Sequence, residues 1–269
     1  MKIRRLGWAG LEIEVEGATL VIDAVQDSEP LRSALPDDAL TTPQHPGTAI
    51  AALVTHLHSD HADPPALRTI LAADGVVLRP APMAGTDDDV FWTAAAEKGF
   101  AAAELATRVM TEWESVTLGP FDVTAVPAVD GLGDPQVNWV VGAGGNRIFH
   151  GGDTIFHGLW WLIARRCGPF DAAFLPINGA AVNFPHLQPA SPLPAVLTPE
   201  QAAMAGHILG ARTLVPIHFG LDRPPFYVEV DDSLVKFQAA AADLDTHVTV
   251  LAPGESLDLA TQTTASSLP

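Results

Sequence analysis

A chain of 269 residues that is 48% hydrophobic can bury a large core, and a net charge of −18 leaves it without the clustered Lys and Arg that a phosphate backbone or an anionic membrane requires. Nucleic acid and stable membrane association are therefore disfavoured, and no uninterrupted apolar stretch is long enough to span a bilayer. The single cysteine, Cys167, rules out an intramolecular disulfide and fits the reducing cytoplasm, which is the expected location. The basic start, Met1-Lys2-Ile3-Arg4-Arg5, is followed by Glu12, Glu14 and Glu16 and does not build a secretory signal.

Leu11–Val15 alternates apolar and acidic residues, and Thr19–Ile22 returns after the Glu16-Gly17-Ala18 turn, which predicts an antiparallel hairpin with one wet face. Asp23 closes the second strand, and a structural role is favoured for it over a place in a site. Residues 27–48 are rich in Pro, Asp, Ser and Thr and form a long loop of the kind that walls or lids a pocket, with His45 as a surface histidine. Ala51-Ala52-Leu53-Val54 reads as a short buried strand. It runs directly into Thr55-His56-Leu57-His58-Ser59-Asp60-His61, the densest chemistry in the chain. His56 and His58 are two apart on extended backbone, so they share a face and can grip one ion. Asp60 and His61 follow where the strand has ended and the chain can turn to aim them at a second.

Pro64–Ala73 has Pro at an early helical position and reads as a helix packed behind this cluster. Gly75–Leu78 reads as a strand, and Phe91–Lys98 as a short helix with Asp87-Asp88-Asp89 at its solvated N-terminus. Arg108–Met110, Ser115–Leu118 and Phe121–Val126 form a meander of short strands leading to Val129-Asp130. Val137–Val141 and Arg147–His150 make a second hairpin that runs into Gly151-Gly152-Asp153-Thr154. No Lys-Ser/Thr follows these glycines, so the turn is not a phosphate loop; it lets the backbone approach closely while Asp153 points inward. A helix (Gly158–Arg166) and a strand (Ala172–Leu175) end at Pro176-Ile177-Asn178-Gly179, and a Pro-rich loop precedes the helix Pro199–Leu209. The strand Arg212–Ile217 then delivers His218, before a helix (Leu234–Ala242), a strand (Val248–Leu251) and a polar tail. Short strands alternate with helices, and strand ends carry His56 to His61, Asp130, Asp153 and His218 to one edge. That pattern predicts an α/β sandwich of two sheets covered by helices, forming one domain over residues 1–269.

Three ordered motifs carry a family likeness: His56-x-His58-x-Asp60-His61, Gly151-Gly152-Asp153-Thr154 and Pro216-Ile217-His218-Phe219-Gly220. Together they resemble the metallo-β-lactamase superfamily. Leu175-Pro176-Ile177-Asn178-Gly179 is similar to the branch that includes ascorbate-6-phosphate lactonase-like proteins and the N-acyl-phosphatidylethanolamine-hydrolysing phospholipase D. The resemblance implies a four-layer αββα sandwich with a binuclear metal site at one edge. It implies that His56 and His58 hold the first ion, that Asp60, His61 and His218 hold the second, and that Asp153 bridges them. The family's third histidine for the first ion falls where this chain has Val129-Asp130. Ligation by Asp130 gives that ion two imidazoles and two carboxylates, a harder set that moves preference from zinc towards manganese or iron. An Asp130 that points away leaves the first site weak or empty.

The function expected is hydrolysis of an ester, lactone, phosphodiester or amide of a small molecule, with two divalent ions (zinc, manganese or iron) and a hydroxide bridging them. Asp60 orients that hydroxide, Asn178 is an oxyanion or substrate contact or a loop-capping amide, and His157 is a substrate contact, a proton donor or a surface residue. His150, at a strand end, is read as facing away. Two alternatives remain. His56, His58 and Asp130 make the two-His-one-carboxylate set of a non-haem iron oxygenase, and an altered first site also suits a binding scaffold without catalysis. Homo-oligomerisation is left open.

Overall fold

The computed structural model describes residues 1–86, 90, 93–185 and 187–260, with the backbone alone at 29–30. The expected N-terminal acidic turn at Asp87–Asp89 and the first residues of the helix placed at Phe91 lie outside the described residues. Two seven-stranded sheets face each other. The first contains β1 (Lys2–Gly7), β2 (Gly10–Val15), β3 (Ala18–Ile22), β4 (Ala49–Leu53), β5 (Leu71–Arg79) and β6 (Thr107–Val109) side by side, with a C-terminal strand, β16 (Ser256–Asp258), outside β1. The second runs, from one edge to the other, through β7 (Ser115–Leu118), β8 (Phe121–Pro127), β9 (Val137–Ala143), β10 (Asn146–His150), β11 (Phe170–Pro176), β13 (Ala211–Ile217) and β15 (His247–Val248). A small ribbon, β12 (Ala181–Val182) with β14 (Tyr227–Val228), stands apart from both.

Side-chain alternation assigns the layers. Along β3, Leu20 and Ile22 enter the core between the sheets, where they meet Phe121, Trp139 and Phe174 from the second sheet, while Val21 points the other way. That outer face of the first sheet packs on α2 (Pro64–Ile70) and α3 (Ala94–Ala102) through Leu67, Ile70 and Phe100. On the second sheet Ala172 and Phe174 face inward, and Ala173 and Leu175 meet α4 (Trp160–Cys167), α5 (Pro199–Leu209) and α6 (Ser233–Asp243). The result is the four-layer αββα sandwich expected. Burying a Phe or Leu side chain in such a core contributes about 1.5–3 kcal/mol. Among the described residues no helix is long and apolar enough to cross a membrane.

Several expectations are corrected. The β2–β3 hairpin has no wet face, because the 27–48 loop folds over it: the buried Glu12 accepts hydrogen bonds from the backbone N–H groups of Gln44 and His45. The same loop carries a short helix, α1 (Glu29–Arg32), and puts Leu31 against the cavity described below. The meander is split between sheets: β6 pairs parallel with β5, whereas β7 pairs antiparallel with β8. The basic N-terminal residues and part of the polar tail are strands, β1 with β16, whose pairing partners are too distant in sequence for local pattern to reveal.

The topology explains why the chemistry gathers. In the second sheet β8, β10, β11 and β13 all point the same way, since β9 is antiparallel to both β8 and β10 and the rest pair in parallel. Their carboxyl ends lead to Asp130, Asp153, Asn178 and His218 at one edge. The carboxyl end of β4 brings His56 to His61 to the same edge from the first sheet.

Candidate metal centre

Asp153 sits at the middle. Its Oδ1 lies 3.0 Å from Nε2 of His61 and 2.9 Å from Nε2 of His218, while its Oδ2 lies 3.9 Å from Nε2 of His56. Asp60 approaches from the cavity side, its Oδ2 3.6 Å from His61 Nε2 and 3.7 Å from His218 Nε2. Asp60, His61, Asp153 and His218 thus form one group with converging donor atoms, and His56, His58 and Asp60 form a second. The Nε2 atoms of His56, His61 and His218 and the Oδ1 of Asp153 are buried without a hydrogen-bond partner. Buried polar atoms rarely go unpaired, and a group of imidazole nitrogens and carboxylate oxygens aimed at shared points is the donor chemistry of a divalent cation. The residues present fit metal ions.

Local structure holds each donor in place. Gly152 has φ +49°, and a Cβ there would lie 2.8 Å from the Thr55 side chain, so only glycine lets the Asp153 turn close on the His cluster. The Gln136 amide oxygen, in the orientation that satisfies its bonds, accepts from the backbone N–H groups of Thr154 and Asp153. Asp23 accepts from the backbone N–H and hydroxyl of Thr55, and its Oδ2 lies 2.8 Å from His61 Nδ1. That contact turns His61 Nε2 towards Asp153, the carboxylate–imidazole pairing common behind metal-binding histidines. The structural role favoured for Asp23 is therefore exerted on the site itself. Trp8 donates from Nε1 to Asp60 Oδ2 at 3.1 Å, and its ring lies 4.0 Å from that of His218. Trp8, Asp23 and His218 all have left-handed backbone, with φ of +44°, +42° and +54°. Such conformations persist where the surroundings enforce them, here through a bond from His218 N–H to Trp8 C=O.

Charge follows from this packing. Burial and the neighbouring His61 and His58 hold the His56 imidazole well below its usual range, so it is neutral. Burial opposes charge on His61 and His218 as well, but Asp153 and Asp60 outweigh it and raise both. Burial pushes Asp153 up, and His218 and His61 more than reverse that, holding it well below the usual carboxylate range. Asp130 is pushed up to about 6, chiefly by burial, with Asp153 and Asp134 adding to it against the pull of His58.

Among the site residues expected from sequence, His56, His58, Asp60, His61, Asp153 and His218 come together. Asp130 joins at His58, grouped with it and with Asp134, a residue that sequence reasoning passed over. Asn178 is buried just behind the cavity wall and donates from Nδ2 to the hydroxyl of Tyr227 at 2.6 Å. It reaches the cavity only through that tyrosine, the one Tyr in the chain. His157 is not brought to the site: its Nδ1 accepts from Leu159 N–H at the start of α4, and its ring stacks on Trp160 at 4.6 Å. His150 faces away as expected, donating from Nε2 to Ala9 C=O and accepting at Nδ1 from Gly152 N–H.

A cavity of about 400 Å³ opens over this edge. His58, Asp60, Asp130 and Asp153 form its polar floor, and Leu31, Leu132, Val182, Val196, Phe226 and Tyr227 lie among its walls. Arg223 is its sole Lys or Arg among the described residues.

Comparison with known proteins gives the family and the fold. The model of the beta-lactamase superfamily domain matches residues 18–219. A metal-dependent hydrolase of Thermococcus kodakarensis is 27% identical over 266 residues, covering 96% of this chain and all of its own. The structure of a metallo hydrolase from Ignicoccus hospitalis superposes with a TM-score of 0.65 at 18% identity, over 95% of this chain and 97% of that one. A diiron beta-hydroxylase from Streptomyces venezuelae superposes with a TM-score of 0.74 at 17% identity, over 96% of this chain and 54% of that one. At such identities the likeness to the two solved structures is one of fold.

Proposed function

The chain belongs to the metallo-β-lactamase superfamily and is a metal-dependent hydrolase, and from that premise we propose that it cleaves an ester, lactone, phosphodiester or amide of a small, largely apolar molecule at a binuclear site. One observation carries the reading. The two oxygens of Asp153 face different imidazole sets, His61 and His218 on one side and His56 on the other, which is what a carboxylate shared by two ions requires. His56, His58 and Asp130 would hold the first ion, and Asp60, His61 and His218 the second, with Asp153 common to both. When bound, two divalent ions supply a water acidified enough to attack at neutral pH and a Lewis acid for the bond under attack.

The chain's own groups do the rest. Asp60, fixed by the Trp8 indole, presents a carboxylate at the cavity floor where a nucleophilic water can be oriented. Tyr227 keeps its proton, because burial and the charge of Asp153 raise its pKa well above the ordinary phenol value. With Asn178 donating to its oxygen, its own O–H is available to a substrate oxygen. His157 takes no part. The walls are largely apolar, with Arg223 the one Lys or Arg among the described lining residues to meet an anionic substituent, so a multiply phosphorylated substrate is a poor fit.

Elemental analysis of the purified protein, with a panel of activated esters, lactones and phosphodiesters, tests the proposal. Two equivalents of divalent metal and turnover of at least one class are expected. In Asp153→Ala both ions should be lost and activity should fall on the order of 10⁴-fold or more; an undiminished metal content would refute the assignment. The donor set His56, His58 and Asp130 also favours a second reading, an iron oxygenase. Oxygen consumption by the iron-loaded protein, without hydrolysis of any panel member, would select it.

A further inference from the structure

We propose that Arg223 is the specificity-determining residue of the cavity, and that the substrate carries one free carboxylate separated by an apolar chain from the bond that is cleaved. The inference deepens the hydrolase reading and rests on it for the scissile bond.

The two ends of the cavity differ in burial and charge. His58, Asp130 and Asp153 on the floor are buried, whereas Arg223 is exposed at the mouth. Apolar side chains, Leu31, Val182, Leu221 and Phe226 among them, make most of the remaining lining.

The guanidinium at the mouth is held but not neutralised. Its Nη2 donates to the Ser33 hydroxyl of the 27–48 loop at 2.6 Å, and among the described residues no carboxylate lies within ion-pairing distance of it. With 32 Asp and Glu against 14 Lys and Arg, the chain does not lack acids to pair with it. The nearest in sequence are engaged elsewhere. Glu229 accepts from the backbone N–H groups of Gly220 and Leu221 through Oε2 and from the Ser233 hydroxyl through Oε1. Asp222 accepts from Glu229 N–H. Both carboxylates tie the loop to itself and leave the charge of Arg223 to a ligand.

The backbone under Arg223 is closed into a turn. Its C=O accepts from the N–H groups of Phe226 and Tyr227 at 2.9 and 3.0 Å, and its own N–H donates to Tyr227 C=O at 2.7 Å. One turn thus presents a cation, an apolar ring and, at Tyr227, the phenol assigned above to a substrate oxygen. Tyr227 is anchored in its place by Asn178 and by the pairing of β14 with β12. Charge balance then selects the anion. A carboxylate matches the planar guanidinium fork with two parallel hydrogen bonds and with its single charge. A phosphate monoester carries about −1.5 to −2, which one arginine among apolar walls leaves unmatched. The substrate class is an ester, lactone or amide with an apolar chain that ends in a carboxylate.

The probes are para-nitrophenyl hydrogen suberate and the same compound with its free carboxylate methylated. In either, water adds its oxygen to the acyl carbon, the aryl C–O bond to that carbon breaks, and para-nitrophenol leaves. The wild type should prefer the free acid by about tenfold in kcat/KM. The difference should lie in KM, because a contact remote from the reacting bond acts alike on ground and transition states. Arg223→Gln should remove the preference, and Arg223→Lys should keep part of it through its charge. Calorimetry with octanoate, which has no bond to cleave, reads the same contact apart from catalysis. The purified protein should bind octanoate more tightly than octanamide by about tenfold, and more tightly than acetate, which has no chain to bury. Arg223→Gln should lose the margin over octanamide. Equal use of the acid and its methyl ester by the wild type overturns the proposal, as does a preference that survives Arg223→Gln, or octyl phosphate binding more tightly than octanoate. Cleavage of neither ester counts against the hydrolase reading instead, and octanoate binding compared between wild type and Arg223→Gln then decides the carboxylate contact by itself.

Discussion

The two halves of the proposed metal centre are built differently. The half formed by Asp60, His61 and His218 rests on strand ends from both sheets, and its supports are internal to the core: Asp23 behind His61, and the Trp8 backbone and ring against His218. The half formed by His56 and His58 is bordered by a loop, residues 130–134, whose carboxylates, Asp130 and Asp134, group with His58. The contrast teaches that one half is inseparable from folding, whereas the other can be retuned by changing a loop.

The largest expected effect follows from that difference. Asp23 satisfies three buried donors at once, the Thr55 N–H and hydroxyl and His61 Nδ1. Asp23→Ala should therefore cost stability even without metal, about 2–4 kcal/mol by denaturant unfolding of the metal-free protein, and should weaken the second ion by about 10- to 100-fold. If stability is unchanged while metal binding falls, the distinction between a folded-in half and a tunable half is lost.

A smaller effect sharpens the comparison from the other side. Asp130→His would give the first ion a third imidazole in place of oxygen. The preference between Zn²⁺ and Mn²⁺, read by competitive loading and elemental analysis, should move towards zinc by about tenfold, with the Asp60, His61 and His218 half unaffected. An unmoved ratio would mean that Asp130 does not contribute to the choice of ion.

The same contrast governs what the sequence makes legible. The candidate donors at strand ends could be read because ligation would demand fixed residue types at fixed offsets: His56, His58, Asp60 and His61 after an apolar strand, Asp153 after a Gly pair, and His218 after β13. The layers could be read from short strands alternating with helices along the chain and their αββα order from the family likeness, whereas β3 and β11, apolar on both faces, do not themselves say which neighbour each face meets. The supports could not. Asp23 and Trp8 act through contacts across 38 and 52 residues, and Asp134 reaches His58 across 76. Nothing local marks an Asp as the partner of a distant imidazole, although Gly131-x-Gly133-Asp134, directly after Asp130, is a visible signal of a tight acidic loop. His157 misled for a related reason: its nearness in sequence to Asp153 says nothing of direction, and the chain turns there into α4.

His157 also supplies the smallest effect, remote from both halves. Burial lowers its pKa to about 4, against about 6.5 in the unfolded chain. Between those values the unfolded state binds the proton and the folded state does not, so stability rises with pH through this window. On acidification it should fall from just above pH 6.5 and level off near pH 4, by about 1–2 kcal/mol after allowance for the part of the ring that solvent reaches. His157→Asn can still accept from the start of α4 and does not titrate, so the slope of unfolding free energy between pH 4 and 6.5 should flatten in metal-free protein. The metal-loaded protein should show the same flattening with its metal content intact, because this ring lies outside the centre; a change in bound metal would return His157 to the site.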